Sequence, residues 1–322
     1  MAAISVAVNI KAPSFPSALP KVALIAGPTA SGKSALALDL AKATGGTIIN
    51  ADSAQVYRDL SILTARPSPE EVTQAPHRLF GHVDAADTGY SAARWAAEAR
   101  AAIEDSVAAG SLPILVGGTG LYMRTLLDGI APVPDIDPAI RAEVRALPVA
   151  EAHAALSRKD PQAAARLNAA DTTRVARALE VVRSTGRPLH QWQAHKEGGI
   201  GERIALSAVI LLPDRDWLNA RIDTRFGEML DEGLDEAATL LARPDLPADA
   251  PIRRAIGVPE AAALLEGRMT RAEAEAAGAL ATRRYAKRQY TWFRHQPGPG
   301  WTAISDIDAD VRRSTIETLL RN

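Results

Sequence analysis

The sequence predicts an α/β protein: a parallel sheet flanked by helices, with an inserted all-helical domain. Three observations predict it. Short aliphatic and β-branched runs alternate with alanine-rich helical segments through the first third of the chain, an order that gives parallel strands covered on both faces. A glycine-rich loop joins the first of these runs to the first helical segment. Residues 135–201 are rich in Ala and Arg and contain no convincing strand, and they are bounded by APVPDIDP (131–138) and EGGIG (197–201), whose prolines and glycines cannot continue a helix.

Taken in order, Lys21–Ala26 is a short buried strand broken by Gly27-Pro28, and Ser34–Ala43 is a run of good helix formers. Thr47–Asn50 and Leu112–Val116 are the next strands, with helical Ser91–Ala109 between them. Ala205–Leu212 is again strand-like after the insertion, so the α/β core comprises residues 21–134 and 202–322. From Leu218 helical patterns return. They end in the basic stretch Thr282–His295, and Trp301–Ile304 is the final strand. Residues 1–20 are a ragged leader, because Lys11 follows the apolar start whereas a secretory signal places its positive charge first.

With 322 residues, 47% of them hydrophobic and 23% charged, the chain has ample material for a core and is not a disordered one. Its longest apolar strings are strand-sized, so no membrane span is expected. The absence of cysteine excludes disulfides, thiolate zinc sites and cysteine nucleophiles, and fits a cytoplasmic location. A net charge of -1 means that any nucleic-acid partner must be met by a local basic patch.

Gly27-Pro28-Thr29-Ala30-Ser31-Gly32-Lys33-Ser34 matches G-x-x-x-x-G-K-[ST] between a strand and a helix. Its backbone N–H groups cradle phosphate oxygens, the helix N-terminus adds partial positive charge, Lys33 adds a full one, and the Ser34 hydroxyl is the candidate Mg²⁺ ligand. Such a loop does not name the reaction. A guanine-reading N-K-x-D is absent, and the strand at 112–116 ends in Gly117-Gly118-Thr119-Gly120 rather than in the usual metal-binding Asp. The acid follows the second strand instead, in Asn50-Ala51-Asp52-Ser53-Ala54-Gln55-Val56-Tyr57.

GPTASGKS, NADSAQVY, TARPSPEE (64–71), PILVGGTGLY (113–122), RVARALEV (174–181), RIDTRFGEML (221–230) and AKRQYTWFRH (286–295), in that order, resemble the tRNA dimethylallyltransferases, also called tRNA isopentenyltransferases. The resemblance implies a P-loop kinase-like core and an inserted domain that grips the tRNA anticodon stem-loop. It also implies Mg²⁺ dependence and transfer of the dimethylallyl group of dimethylallyl diphosphate to N6 of the adenine 3′ of the anticodon. Under this reading the loop, with Lys33, clamps the diphosphate leaving group, and a carboxylate that takes the amine proton contributes roughly 10²–10⁴-fold. Asp52 is the candidate base, at the strand edge where open α/β sheets bind ligands. Thr119 and Arg225 complete the catalytic set, Arg225 as a second phosphate-binding charge.

The adenine must leave its stack to be read. Ser53, Ala54 and Gln55 beside Asp52, with Thr119, are the candidates for reading it. Arg174, Val175, Ala176 and Arg177 in the insertion, and Arg283 and Lys287 in the last basic helix, are the other tRNA-contact candidates. Leu63, Arg66 and Val258 depart from the family pattern, which commonly has glycine, lysine and an aromatic residue there, and this leaves local tRNA contacts open. A monomer is expected. The competing readings are an ATP-dependent nucleotide or nucleoside kinase, a non-catalytic RNA-binding protein, and a prenyltransferase of free adenine nucleotides. ATP would also fit the loop through its phosphates.

Overall fold

A computed structural model of the chain describes residues 19–306 and 308–321. The leader expected at 1–20 lies outside the described residues apart from Leu19 and Pro20. The strands are β1 (Lys21–Ala26), β2 (Thr47–Asn50), β3 (His77–Arg78), β4 (Pro113–Gly117), β5 (Ala205–Leu211) and β6 (Thr302–Ile304). They form one sheet in the order β3-β2-β4-β1-β5-β6, every pair parallel. The sheet is sealed by short edge strands, which limits edge-to-edge pairing. The edge strand β3 has two polar residues and no apolar run, so periodicity could not disclose it.

The helices are α1 (Lys33–Thr44), α2 (Pro69–Gln74), α3 (Ala92–Ala108), α4 (Gly120–Asp128), α5 (Pro138–Ala146), α6 (Val149–Lys159), α7 (Pro161–Arg166), α8 (Thr172–Thr185), α9 (Leu189–Gln193), α10 (Arg215–Leu241), α11 (Val258–Leu265), α12 (Arg271–His295) and α13 (Ala309–Arg321). β1 reads as a continuous apolar run because it is buried on both faces. Val22, Leu24 and Ala26 point into a core shared with Trp95 of α3, Met123 of α4, Phe226 of α10 and Phe293 of α12. Ala23 and Ile25 point the other way, onto Leu36 and Leu40 of α1 and Leu319 of α13.

Helices α5–α9 lie between α4 and β5, and α5–α8 have an apolar cluster of their own, centred on Val144, Leu156, Val175 and Leu179. The strands leading in and out meet at Ile130 and Glu197, whose backbones exchange two hydrogen bonds of 3.0 Å. No helix among the described residues is long and apolar enough to cross a membrane.

Candidate active site

Register aligns the C-terminal ends of the central strands: Ala26 pairs with Gly117, and Asn50 with Val116. The loops that follow β1, β2 and β4 therefore open onto one edge, the ligand-binding edge of such sheets.

In the loop after β1, Ala30 adopts a left-handed conformation with φ 63°, which costs an alanine about 1 kcal/mol. Its surroundings hold it there. Arg221 of α10 donates from Nε to the Ala30 carbonyl at 3.1 Å, and Leu218, Ile222 and Ala286 pack on its methyl group. The Thr29 amide donates to Gln289 Oε1 of α12 at 2.9 Å, and Gln289 Nε2 donates to the Gly118 carbonyl at 3.0 Å. Gln289 thus joins the loops after β1 and β4. Helix α1 begins with no side-chain cap and no acidic residue in its first turn, so its opening amides and dipole are available to an anion.

Lys33 folds back and donates from Nζ to the Pro28 carbonyl at 3.1 Å. Burial lowers its ammonium to about 8; the nearby Asp52 opposes that shift and Arg225 reinforces it. Arg225 takes part in no ion pair among the described residues. Burial, with Arg221 close by, lowers its pKa too. A buried Lys33 at an uncapped helix start, with Arg225 near enough to perturb it, is an arrangement that can hold an anion.

Asp52 follows β2 in a turn closed by Asn50, whose Oδ1 accepts from the Asp52 amide at 2.8 Å and whose Nδ2 donates to the Asp52 carbonyl at 3.0 Å. Trp95 Nε1 donates to the Asn50 carbonyl at 2.9 Å. Asp52 Oδ1 accepts from the Ala54 amide at 2.9 Å, while Oδ2 accepts nothing from the described residues. The acid is thus held by one oxygen and offers the other. Gly117 lets the strand ends meet, since a Cβ there would lie 2.2 Å from the Ala51 carbonyl. Thr119 in consequence reaches Ser53. Its hydroxyl accepts from the Ser53 amide at 3.0 Å and donates to Ser53 Oγ at 3.2 Å, and does not cap α4.

Of these groups, Thr29, Ala30, Asp52, Ser53, Ala54, Thr119 and Arg225 line a cavity of about 510 Å³, whereas Lys33 and Gln289 lie outside its lining. Thr29, Asp52, Ser53, Thr119 and Arg225 form a polar region, and Leu63, Phe226, Met229, Ile252 and Ile256 an apolar one. Tyr57, Tyr122 and Tyr285 also line it. Burial, with Asp52 nearby, raises the phenols of Tyr122 and Tyr285, so both stay neutral.

Other expected residues are placed elsewhere. Gln55 spends Nε2 on the carbonyls of Thr64 and Ala65, at 2.9 and 2.7 Å, and does not line the cavity, so it braces a loop. Ser34 lies at the helix start facing a small recess with Glu71, His77 and Phe80. Arg174 and Arg177 lie on α8 beside Asp171 and Glu180, at 3.5 and 3.8 Å, and away from the cavity. Val175, expected to touch RNA, is 0% exposed, with its side chain in the core of the helical insertion. Ala176 packs against the same cluster. Arg283 pairs with Asp223, whereas Lys287 is exposed. Among the three departures, Leu63 and Val258 are buried, and Arg66 donates to the Tyr57 carbonyl at 3.3 Å.

Sequence reasoning missed Arg221, Gln289 and the three tyrosines. Only Gln289 carried a local signal, as a polar residue on the inward face of an amphipathic helix.

No group of three or more His, Asp or Glu among the described residues could hold a metal. The Ser34 hydroxyl faces the recess and Asp52 the cavity, so the one protein donor at the start of α1, Ser34, suits a Mg²⁺ ion that takes its remaining ligands from substrate phosphates and water.

A family model described as IPP transferase matches residues 55–296. The tRNA dimethylallyltransferase of Sphingopyxis alaskensis is 64% identical over 293 residues, 90% of this chain and 95% of that one. That of Erythrobacter litoralis is 58% identical over 300 residues, 91% of this chain and 94% of that one. The full-length tRNA isopentenylpyrophosphate transferase of Bacillus halodurans superposes with a TM-score of 0.65 at 35% identity, covering 94% of this chain and 97% of that one. A eukaryotic dimethylallyltransferase captured acting on tRNA superposes with a TM-score of 0.77 at 27% identity, covering 91% of this chain and 77% of that one.

Proposed function

Since the chain belongs to the IPP transferase family and is a tRNA prenyltransferase, we propose that its cavity joins dimethylallyl diphosphate to N6 of the adenine 3′ of the anticodon, with Asp52 as the base. The observation that carries this reading is the free Oδ2 of Asp52 beside two unpaired cations and an apolar region. The phosphate loop, Lys33 and Arg225 bind the diphosphate, and the apolar region takes the five-carbon chain out of water. Bound at Ser34 and the phosphates, Mg²⁺ supplies further charge neutralisation.

The adenine N6 attacks the allylic carbon as its C–O bond breaks. The electron pair leaves with diphosphate, where the loop amides and Lys33 stabilise it, and the N6 proton passes to Asp52 Oδ2. Ser53 and Thr119 hold the turn that aims the carboxylate. The proposed tRNA grip lies on the insertion, through Arg174 and Arg177, and on α12, through Lys287 and Arg283. We also propose a monomer working in the cytoplasm.

The test is incubation of unmodified tRNA with dimethylallyl diphosphate and Mg²⁺, without nucleoside triphosphate, followed by nucleoside mass spectrometry. Dimethylallyl-adenosine should form with an equal amount of diphosphate. An absolute ATP requirement, or phosphorylation of a nucleoside, would restore the kinase reading.

A further inference from the structure

The tyrosines that line the cavity, Tyr57, Tyr90, Tyr122 and Tyr285, differ in what their hydroxyls touch. The Tyr90 hydroxyl donates to Glu98 Oε2 at 2.6 Å, and that of Tyr285 has Thr119 and Gln289 within hydrogen-bond reach. Tyr57 and Tyr122 are each only 6% exposed, and neither hydroxyl has a hydrogen-bond partner among the described residues. The two phenols are close enough to act on one another. Buried polar groups are nearly always paired, so this pair calls for a ligand that satisfies it.

Both side chains are fixed in place. The Tyr122 ring stacks on Trp95, with centroids 4.4 Å apart and planes 18° from parallel. Trp95 in turn donates to the carbonyl of Asn50, whose side chain closes the Asp52 turn, so Tyr122 and Asp52 share one frame. Tyr57 is held through its backbone, its carbonyl accepting from Arg66 Nη1 at 3.3 Å. The segment that follows is tied to α10, where Glu236 accepts from the amides of Ser61, Ile62 and Leu63 at 2.7, 3.1 and 2.7 Å. A few polar groups held in this way in a largely apolar pocket orient what enters it.

The chemistry of the substrates selects the ligand. The five-carbon chain has no polar atom to offer a phenol. Diphosphate belongs to the loop after β1, and the charges acting on Tyr122 are the carboxylates of Asp52 and Glu98, which repel it. An adenine whose N6 faces Asp52 carries acceptor nitrogens, N1 and N7, on either side of that amine, and a neutral phenol can donate to them. Gln55, expected to read the base, spends its amide on the carbonyls of Thr64 and Ala65. We infer that Tyr57 and Tyr122 take that place: their hydroxyls donate to a ring-nitrogen edge of the extruded adenine and so turn its N6 toward Asp52. This rests on the acceptor reading proposed above.

The experiment measures kcat/KM with dimethylallyl diphosphate and synthetic anticodon stem-loops that carry adenosine, 1-deazaadenosine or 7-deazaadenosine at the modified position. The enzymes are wild type, Tyr57→Phe, Tyr122→Phe and the double variant. Phenylalanine keeps the ring and removes only an unpaired hydroxyl, so the melting temperature and the Kd of dimethylallyl diphosphate should stay at their wild-type values. With adenosine the double variant should lose about tenfold, the scale of one or two hydrogen bonds. On the analogue that lacks the contacted nitrogen, the wild type should already be slowed and the double variant should lose nothing further. That arm tells N1 from N7, and comparing ratios cancels the analogue's own electronics. Full kcat/KM in the double variant, or a loss by the same factor on all three stem-loops, would overturn the inference. So would a weakened Kd for dimethylallyl diphosphate, which would assign the phenols to the donor. A wild type that fails to prenylate even the adenosine stem-loop would instead overturn the functional reading on which this inference rests.

Discussion

Inside the phosphate loop, the Lys33 ammonium sits on the Pro28 carbonyl with its pKa lowered by burial to about 8. A bound diphosphate favours the charged form, so affinity is highest below that value and falls as pH rises through it. The Kd of dimethylallyl diphosphate, measured by titration calorimetry, should therefore weaken between pH 7.5 and 9.5, approaching tenfold per unit at the upper end. Lys33→Arg, which stays charged there, should remove the trend even if it binds less tightly. For Asp52→Asn the turn geometry can persist while the proton acceptor is lost. Its kcat should fall roughly 10²–10⁴-fold with little change in diphosphate or tRNA affinity. Retention of most of kcat would reduce Asp52 to a turn residue.

Helix α12 works as a strut between loops far apart in sequence. Gln289 binds the Thr29 amide with one end and the Gly118 carbonyl with the other. Gln289→Ala removes two hydrogen bonds of about 1 kcal/mol each, and the expected readout is a KM for dimethylallyl diphosphate raised about tenfold. The solvent side of α12 differs residue by residue, since Arg283 already has Asp223 while Lys287 stands exposed. If this face meets tRNA, Lys287→Ala should flatten the slope of log K against log salt by about 0.7–0.9, one phosphate contact. Arg283→Ala should change it less. Equal slopes in wild type and Lys287→Ala would place the helix away from RNA.

At the scale of the whole molecule, the apolar cluster of α5–α8 is separate from the clusters packed on the two faces of the sheet. Leu156 is 0% exposed in that cluster. Leu156→Ala should destabilise the insertion by about 2–5 kcal/mol, lowering tRNA affinity while leaving dimethylallyl diphosphate binding at the sheet edge unchanged. Hydrogen exchange should show the loss of protection confined to α5–α9. A parallel loss of diphosphate binding would mean that the two parts fold as one unit.

The α/β core, the insertion and the phosphate loop were legible in the sequence because each rests on short-range physics. Buried parallel strands are continuous apolar runs, prolines and glycines end helices, and an anion cradle needs glycines and a lysine at fixed spacing. Asp52 was legible for the same reason, as an acid just past a strand end. Local pattern failed where a side chain's partner is remote. Val175 packs into the core of the insertion through contacts with other helices. Gln289 reaches Thr29, Glu236 reaches Leu63 and Arg221 reaches Ala30 only because the sheet order and the packing of α10 and α12 bring residues distant in the chain into contact. The sequence by itself determined which chemistry is present. The tertiary structure alone decided how that chemistry is aimed and enclosed, because the distances between such partners are set by packing and not by spacing along the chain.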